Sequence, residues 1–304
     1  MFNRKSILFS FQILVLLSCN LTVFGQKKAK RIVVIGLDGY SVPGYHKARH
    51  PHLDSLFGNG ILSLTTRPVM PSVTMPNWTS HLTGAGPEEH GVTSNEWNLD
   101  KHTLKAIETD TDGYFPSIFK IVKDQVPGIQ TAFYYNWSNL IKPFNQKYLD
   151  DVFFEQNDGY DSSYQRALDF IKSNQKNPQL VFLYSVHTDH AGHTHNWMSP
   201  QYIQALEDAD AALGRFVLGL KNAGLFEDTY FLFITDHGGH PASGHGGLSM
   251  DEMLVPWALT GPKIKKNANP SVYNSNKNTA VVIATLFGIK KMPSSWTGTA
   301  SILQ

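Results

Sequence analysis

Three apolar runs, each leading to an aspartate, constrain this chain more than any other feature. Arg31 to Leu37 (RIVVIGL) runs into Asp38, and Thr229 to Thr235 (TYFLFIT) runs into Asp236. Leu180 to Val186 (LVFLYSV) reaches Asp189 three residues later. Their β-branched and aromatic content and their length predict strands. They lack polar–apolar alternation, as strands buried on both faces do, which fits a parallel sheet covered by helices. Helical patterns lie between them. From Pro200 to Asn222, Ser199 stands at the N-cap, Pro200 at the first position and Gly224 just past the end. Ile203, Leu206, Leu213, Phe216, Val217 and Leu220 form one stripe along it. Asn278 to Phe287, closed by Gly288, predicts another helix. The alternation predicts an α/β fold, a three-layer sandwich with a mostly parallel central sheet.

In open parallel sheets, sites form at the carboxyl ends of strands, so aspartates distant in sequence can converge there. Each has companions. Asp38 lies in Gly36-Leu37-Asp38-Gly39, Asp189 precedes Gly192-His193, and Asp236 precedes His237-Gly238-Gly239. Gly244-His245-Gly246-Gly247 follows shortly after, and seven of the 13 histidines fall between His187 and His245. Carboxylate and imidazole without thiolate suit Zn²⁺ or a similar divalent ion in a catalytic site. Singly, each aspartate reads as a helix cap or turn; together they read as a metal centre. His187, His190, His195 and His240 are taken as neighbours.

The 304 residues are 41% apolar and only 17% charged, which excludes disorder. A formal net charge of +1 gives no basic field for nucleic acid, so no nucleic-acid-binding surface is expected. No linker, charge block or repeat interrupts residues 26–304, expected to be one catalytic domain. Residues 1–25 read as a signal peptide: Arg4 and Lys5, an apolar run from Ile7 to Leu17, then Val23-Phe24-Gly25. The chain is therefore expected to be exported, periplasmic or secreted. Leu16-Leu17-Ser18-Cys19 also has the form of a lipobox. A lipid anchor at Cys19 is the alternative, and the only membrane contact expected. Cys19 is the one cysteine, so the mature chain has no disulfide.

The remaining motif is Pro71-Ser72-Val73-Thr74-Met75-Pro76-Asn77-Trp78, followed by Thr83-Gly84 and Pro87-Glu88-Glu89-His90-Gly91. With these segments the chain resembles the alkaline phosphatase superfamily, in particular its nucleotide pyrophosphatase/phosphodiesterase branch. The likeness includes Leu37-Asp38-Gly39, the Asp189…Gly192-His193 segment, Asp236-His237-Gly238-Gly239 and His245-Gly246. It implies an alkaline-phosphatase-like fold and two metal ions, zinc above all. One ion would take Asp189, His193 and His245; the other Asp38, Asp236, His237 and the Thr74 hydroxyl. Thr74 would be the nucleophile, forming a phosphothreonine intermediate, and Asn77 would donate to a non-bridging phosphoryl oxygen.

The substrate the resemblance implies is a small phosphodiester or nucleotide-like molecule. With no arginine beside Thr74, the neutral amide of Asn77 matches a monoanionic diester better than a dianionic monoester. Tyr184 falls where nucleotide-cleaving relatives carry a base-stacking tyrosine. Met75 replaces the aromatic that follows the nucleophile, softening the other half of that sandwich. Two alternatives stand beside this reading: a phosphomonoesterase or phosphonate hydrolase on the same bimetal core, and an inactive metal-binding module at the cell surface.

Overall fold

All three predicted strands form, and they form side by side. The computed structural model describes residues 28–242, 244–264 and 272–304, so the expected leader and Cys19 lie outside the described residues. In chain order the elements are β1 (Arg31–Leu37), α1 (Val42–Lys47), α2 (Pro51–Phe57), β2 (Ile61–Thr66), α3 (Thr74–Thr83) and α4 (Pro87–His90). Next come α5 (Ile118–Gln125), β3 (Gln130–Tyr135), β4 (Asp151–Phe154), α6 (Asp161–Ser173), β5 (Gln179–Ser185) and α7 (His187–His195). The chain continues through α8 (Pro200–Asn222), β6 (Thr229–Ile234), α9 (Met250–Met253), β7 (Val255–Thr260) and α10 (Asn278–Leu286).

The sheet order is β2-β7-β6-β1-β5-β3-β4. From β6 to β4 every pairing is parallel, and β7 alone runs against its two neighbours. The expected mostly parallel sandwich is thus what forms. Its two faces explain the missing alternation: Ile32 and Val34 pack beneath α3, α5 and α10, whereas Val33 and Ile35 pack beneath α2, α6 and α8. Helix α8 has the expected Ser199 cap, its hydroxyl accepting from the Tyr202 amide at 3.1 Å. Helix α10 ends one residue earlier than expected, and Gly288 follows with φ of +72°.

Two features fix the centre of the sheet. Arg31, fully buried, sends Nε to Gln179 Oε1 at 2.6 Å and Nη1 to Thr229 Oγ1 at 3.0 Å, tying together the first residues of β1, β5 and β6. At the other end, Gly36 interrupts an otherwise bulky strand because Trp78 of α3 lies directly on it. A Cβ at Gly36 would stand 2.7 Å from Trp78 Cη2. Among the described residues, no helix is long and apolar enough to cross a membrane.

Candidate metal centre

Parallel pairing sets Leu37 opposite Ser185 and Gly36 opposite Ile234, so β1, β5 and β6 end level with one another. Asp38 leaves β1 with its amide still donating to Ser185 O at 3.0 Å. Asp189 sits in the first turn of α7, and His193 lies one turn on, on the same face. Thr74 is the first residue of α3, held at the helix N-terminus and 5% exposed. Gly39, with φ of +64°, permits the crowding: a Cβ there would meet Asp189 Oδ1 at 2.9 Å.

The structure brings all seven expected ligands together. His193 Nε2 lies 3.5 Å from Asp189 Oδ2 and 3.0 Å from His245 Nε2, and His245 Nε2 is 3.7 Å from Asp189 Oδ1. In the second group, His237 Nε2 lies 3.1 Å from Asp236 Oδ2, 3.6 Å from Asp38 Oδ1 and 3.4 Å from Thr74 Oγ1. The groups adjoin: the His237 and His245 rings stack at 3.8 Å, and His237 also falls within reach of the Asp189–His245 pair.

The electrostatics suit a cation. Asp38 Oδ1, Asp189 Oδ1 and Asp236 Oδ2 are buried without a hydrogen-bond partner. Burial raises the pKa of all three carboxyls, Asp38 to about 6, and the charge of Asp38 pushes Asp189 and Asp236 further. Burial likewise pushes His237 far down and His245 to about 4, keeping both imidazoles neutral. His237 Nδ1 lies 2.9 Å from Gly238 O and His245 Nδ1 lies 3.2 Å from Ser72 O. Donation to those carbonyls puts the proton on Nδ1 and leaves each Nε2 lone pair facing the carboxylates. Orphaned carboxylate oxygens and neutral imidazole nitrogens are what a divalent ion takes up.

Further residues hold this arrangement from behind. One oxygen of Asp38 accepts from Trp78 Nε1 at 3.1 Å and from the Tyr184 hydroxyl at 2.5 Å, leaving the other for the site. The Gly39 amide donates to Asp236 Oδ1 at 3.1 Å. The short return from Asp236 to His245 is closed by paired backbone bonds between His240 and Gly244, with Gly244 and Gly246 at positive φ. Ser72 Oγ donates to Gly247 O at 2.7 Å, and buried Glu252 accepts from the Gly247 amide at 2.7 Å. His190 pairs with Asp158 at 2.7 Å, outside both groups, as a neighbour should.

Three expectations about substrate contacts need correction. Asn77 does not face the site. Its Oδ1 accepts from the Val69 amide at 2.7 Å and from Asn276 Nδ2 at 3.0 Å. Its Nδ2 is spent on the carbonyls of Val69, Pro71 and Val73 at 3.0–3.3 Å. It braces the segment that delivers Thr74. Tyr184 cannot stack on a base, because a central strand buries it to 2% exposure, edge-on to Trp78. Met75 is fully buried against Val92 and Trp97.

One residue the sequence did not single out is tied to the start of α3. Asn95 Oδ1 accepts from the Met75 amide at 2.8 Å, next to Thr74 in sequence, and the residue is half-buried. It lies in an irregular loop, so no periodicity or spacing marks it.

Comparisons with known proteins place the chain in a family and support its fold. Residues 32–283 match the family described as type I phosphodiesterase / nucleotide pyrophosphatase. An uncharacterised pyrophosphatase/phosphodiesterase of Schizosaccharomyces pombe is 25% identical over 233 residues, covering 73% of this chain and 47% of that protein. The human bis(5′-adenosyl)-triphosphatase ENPP4 is 24% identical over 266 residues, covering 82% and 57%. The chain thus spans about half the length of these curated relatives. Among solved structures, human ectonucleotide pyrophosphatase/phosphodiesterase 5 superposes with a TM-score of 0.74 at 15% identity, covering 90% of this chain and 98% of that one. An inactive variant of the murine protein in complex with AMP gives 0.69 at 14% identity, covering 87% and 96%. At these identities the likeness shows a shared fold.

Proposed function

Because the chain belongs to the type I phosphodiesterase / nucleotide pyrophosphatase family, we propose that it hydrolyses small phosphodiesters or nucleotide-like substrates through a covalent intermediate on Thr74. The observation that carries this reading is the Thr74 hydroxyl at the start of α3, 3.4 Å from His237 Nε2, whose group and its neighbour hold three carboxylates with oxygens that lack partners. Asp189, His193 and His245 would hold one divalent ion, and Asp38, Asp236, His237 and Thr74 the other, with zinc the best match to this donor set. Bound there, the pair would supply Lewis-acid polarisation and charge neutralisation for an in-line phosphoryl displacement.

The chain's own groups do the rest. Thr74 Oγ1 attacks phosphorus, the leaving ester oxygen departs with the bonding pair, and water then cleaves the phosphothreonine and restores the hydroxyl. The Asn95 amide donates to a non-bridging oxygen as its charge grows. A neutral donor suits a monoanionic diester. The basic side chain nearest in sequence on the amino-terminal side, Arg67, is exposed and points Nη1 to Met253 O at 3.5 Å. The leader-like first 25 residues support export.

The test is elemental analysis paired with bis(p-nitrophenyl) phosphate and p-nitrophenyl phosphate, before and after chelation. Close to two metals per chain are expected, with diester turnover above monoester turnover and both lost on chelation. Faster monoester turnover would favour the phosphomonoesterase alternative. A metal-loaded protein that turns over neither ester would favour the inactive binding module.

The two asparagines give opposite expectations. Asn95→Ala is expected to lower kcat by ~10²–10³ with a smaller change in KM. Asn77→Ala removes a buried brace whose five contacts are all structural, so its main effect is expected on thermal stability, by about 1–3 kcal/mol. Steady-state kinetics and melting curves of both variants would expose an exchange of these roles.

A further inference from the structure

A single indole touches two ligands of one group and the backbone beside the ligands of the other. Trp197 follows α7, is 3% exposed, and lies against glycines that adjoin the ligands. A Cβ on Gly192, the residue before His193, would stand 2.6 Å from Trp197 Cε2, and one on Gly239, two residues after His237, only 2.0 Å from the same atom. The indole N–H donates to Gly39 O at 3.2 Å, next to Asp38. The ring meets those of His193 and His245 edge-on, at 4.9 and 5.9 Å between centroids. Gly39 O also accepts from the Tyr202 hydroxyl at 2.8 Å, while the Gly39 amide holds Asp236.

The backbone is distorted to place this side chain. Asn196 and Met198, on either side of Trp197, both have φ of +68°, a region L-residues seldom enter. Such conformations persist only where the surroundings over-determine them, and they collect at functional sites. Gly192 and Gly239 are the complementary concession, small where the ring must pass.

We propose that Trp197 is a positioning residue for both metal groups: the ring fixes the Asp189/His193/His245 set against the Asp38/Asp236/His237 set, so both sites are tight only while it is in place. The inference rests on the metal-dependent reading above. Packing from the indole limits the ligands' motion before an ion arrives, and ligand-orienting residues of this kind typically change metal affinity by about 10- to 100-fold.

The experiment is zinc affinity at each of the two sites by chelator competition, on protein shown to be folded at the temperature of measurement. Trp197→Ala is expected to weaken both sites by about 10- to 100-fold. Trp197→Phe keeps a ring between the glycines but loses the bond to Gly39. It is expected to fall between the parent and Trp197→Ala, with the greater loss in the group containing Asp236. Trp296→Phe is the control for a merely structural role. This buried tryptophan bonds Pro116 O at 3.1 Å, away from the ligands, and its loss is expected to lower the melting temperature but not zinc affinity. Parent-like affinity at either site in folded Trp197→Ala would overturn the proposal. Should that variant fail to fold, Trp197→Phe decides: weakening by about threefold or more supports the proposal, and parent-like affinity overturns it. A parent protein that binds no zinc would be a distinct result, removing the metal reading itself.

Discussion

Thr74→Ala is expected to reduce diester turnover by about 10⁴-fold or more while the metal content stays near two per chain. The substitution removes the oxygen proposed to attack and little else. Helix α3 is not capped by the Thr74 side chain, since Val73 holds the cap position with no side-chain bond. Asp38, Asp236 and His237 remain as the three groups proposed to hold that ion. Thr74→Ser keeps the hydroxyl and is expected to retain partial activity. Acid quenching during turnover, followed by mass analysis of the peptide containing residue 74, should detect phosphothreonine in the parent protein. Parent-like rates in Thr74→Ala would remove the covalent mechanism and leave direct attack by water.

His245→Ala is expected to purify with close to one metal per chain and to lose more than about 100-fold in activity, in part restored by excess zinc. In the proposed assignment His245 closes a group in which Asp189 and His193 are the other two ligands, and two ligands hold a divalent ion poorly. The loss should exceed the 10- to 100-fold typical of a residue that merely supports a ligand. The second group should suffer less, although it loses the ring stacked on His237 at 3.8 Å. Metal analysis with a zinc titration of activity checks this. Two tightly held ions and normal turnover would place the ligand elsewhere. His240 is then the first residue to test, although its Nδ1 accepts from the Ala242 amide at 3.2 Å.

What the sequence revealed, and what it concealed, divides along physical lines. β1, β5 and β6 were legible because burial on both faces demands uninterrupted apolar residues, and their aspartates because topology alone decides where parallel strands end. Helix α8 announced itself through Ser199, Pro200 and its stripe. β7 did not. Pro256 within it argues against a strand, yet the structure accommodates it where the β2–β7 register shifts between Ser63 and Thr66. Side-chain direction was harder still. A motif places Asn77 three residues after Thr74, but whether its amide turns to the ligand or back to Val69, Pro71 and Val73 depends on how the entering segment packs. Tyr184 failed as a stacking residue for a related reason, since a strand at the centre of a covered sheet has no solvent face. Asn95 was invisible because its closeness to Thr74 comes from one tertiary bond, to the Met75 amide.

The clamp formed by Arg31 also bears on how the molecule comes to exist. It joins β1 to residues 148 and 198 positions away, at the end of the sheet opposite the ligands. Contacts this remote close large loops, and topologies dominated by them fold slowly. No contiguous stretch of the chain carries either complete ligand set, so a growing polypeptide cannot assemble the binding site until β6 and the His245 loop have emerged. High-affinity zinc uptake during refolding should therefore track completion of the whole sheet. A chain truncated before β6 is expected to compete weakly for the metal.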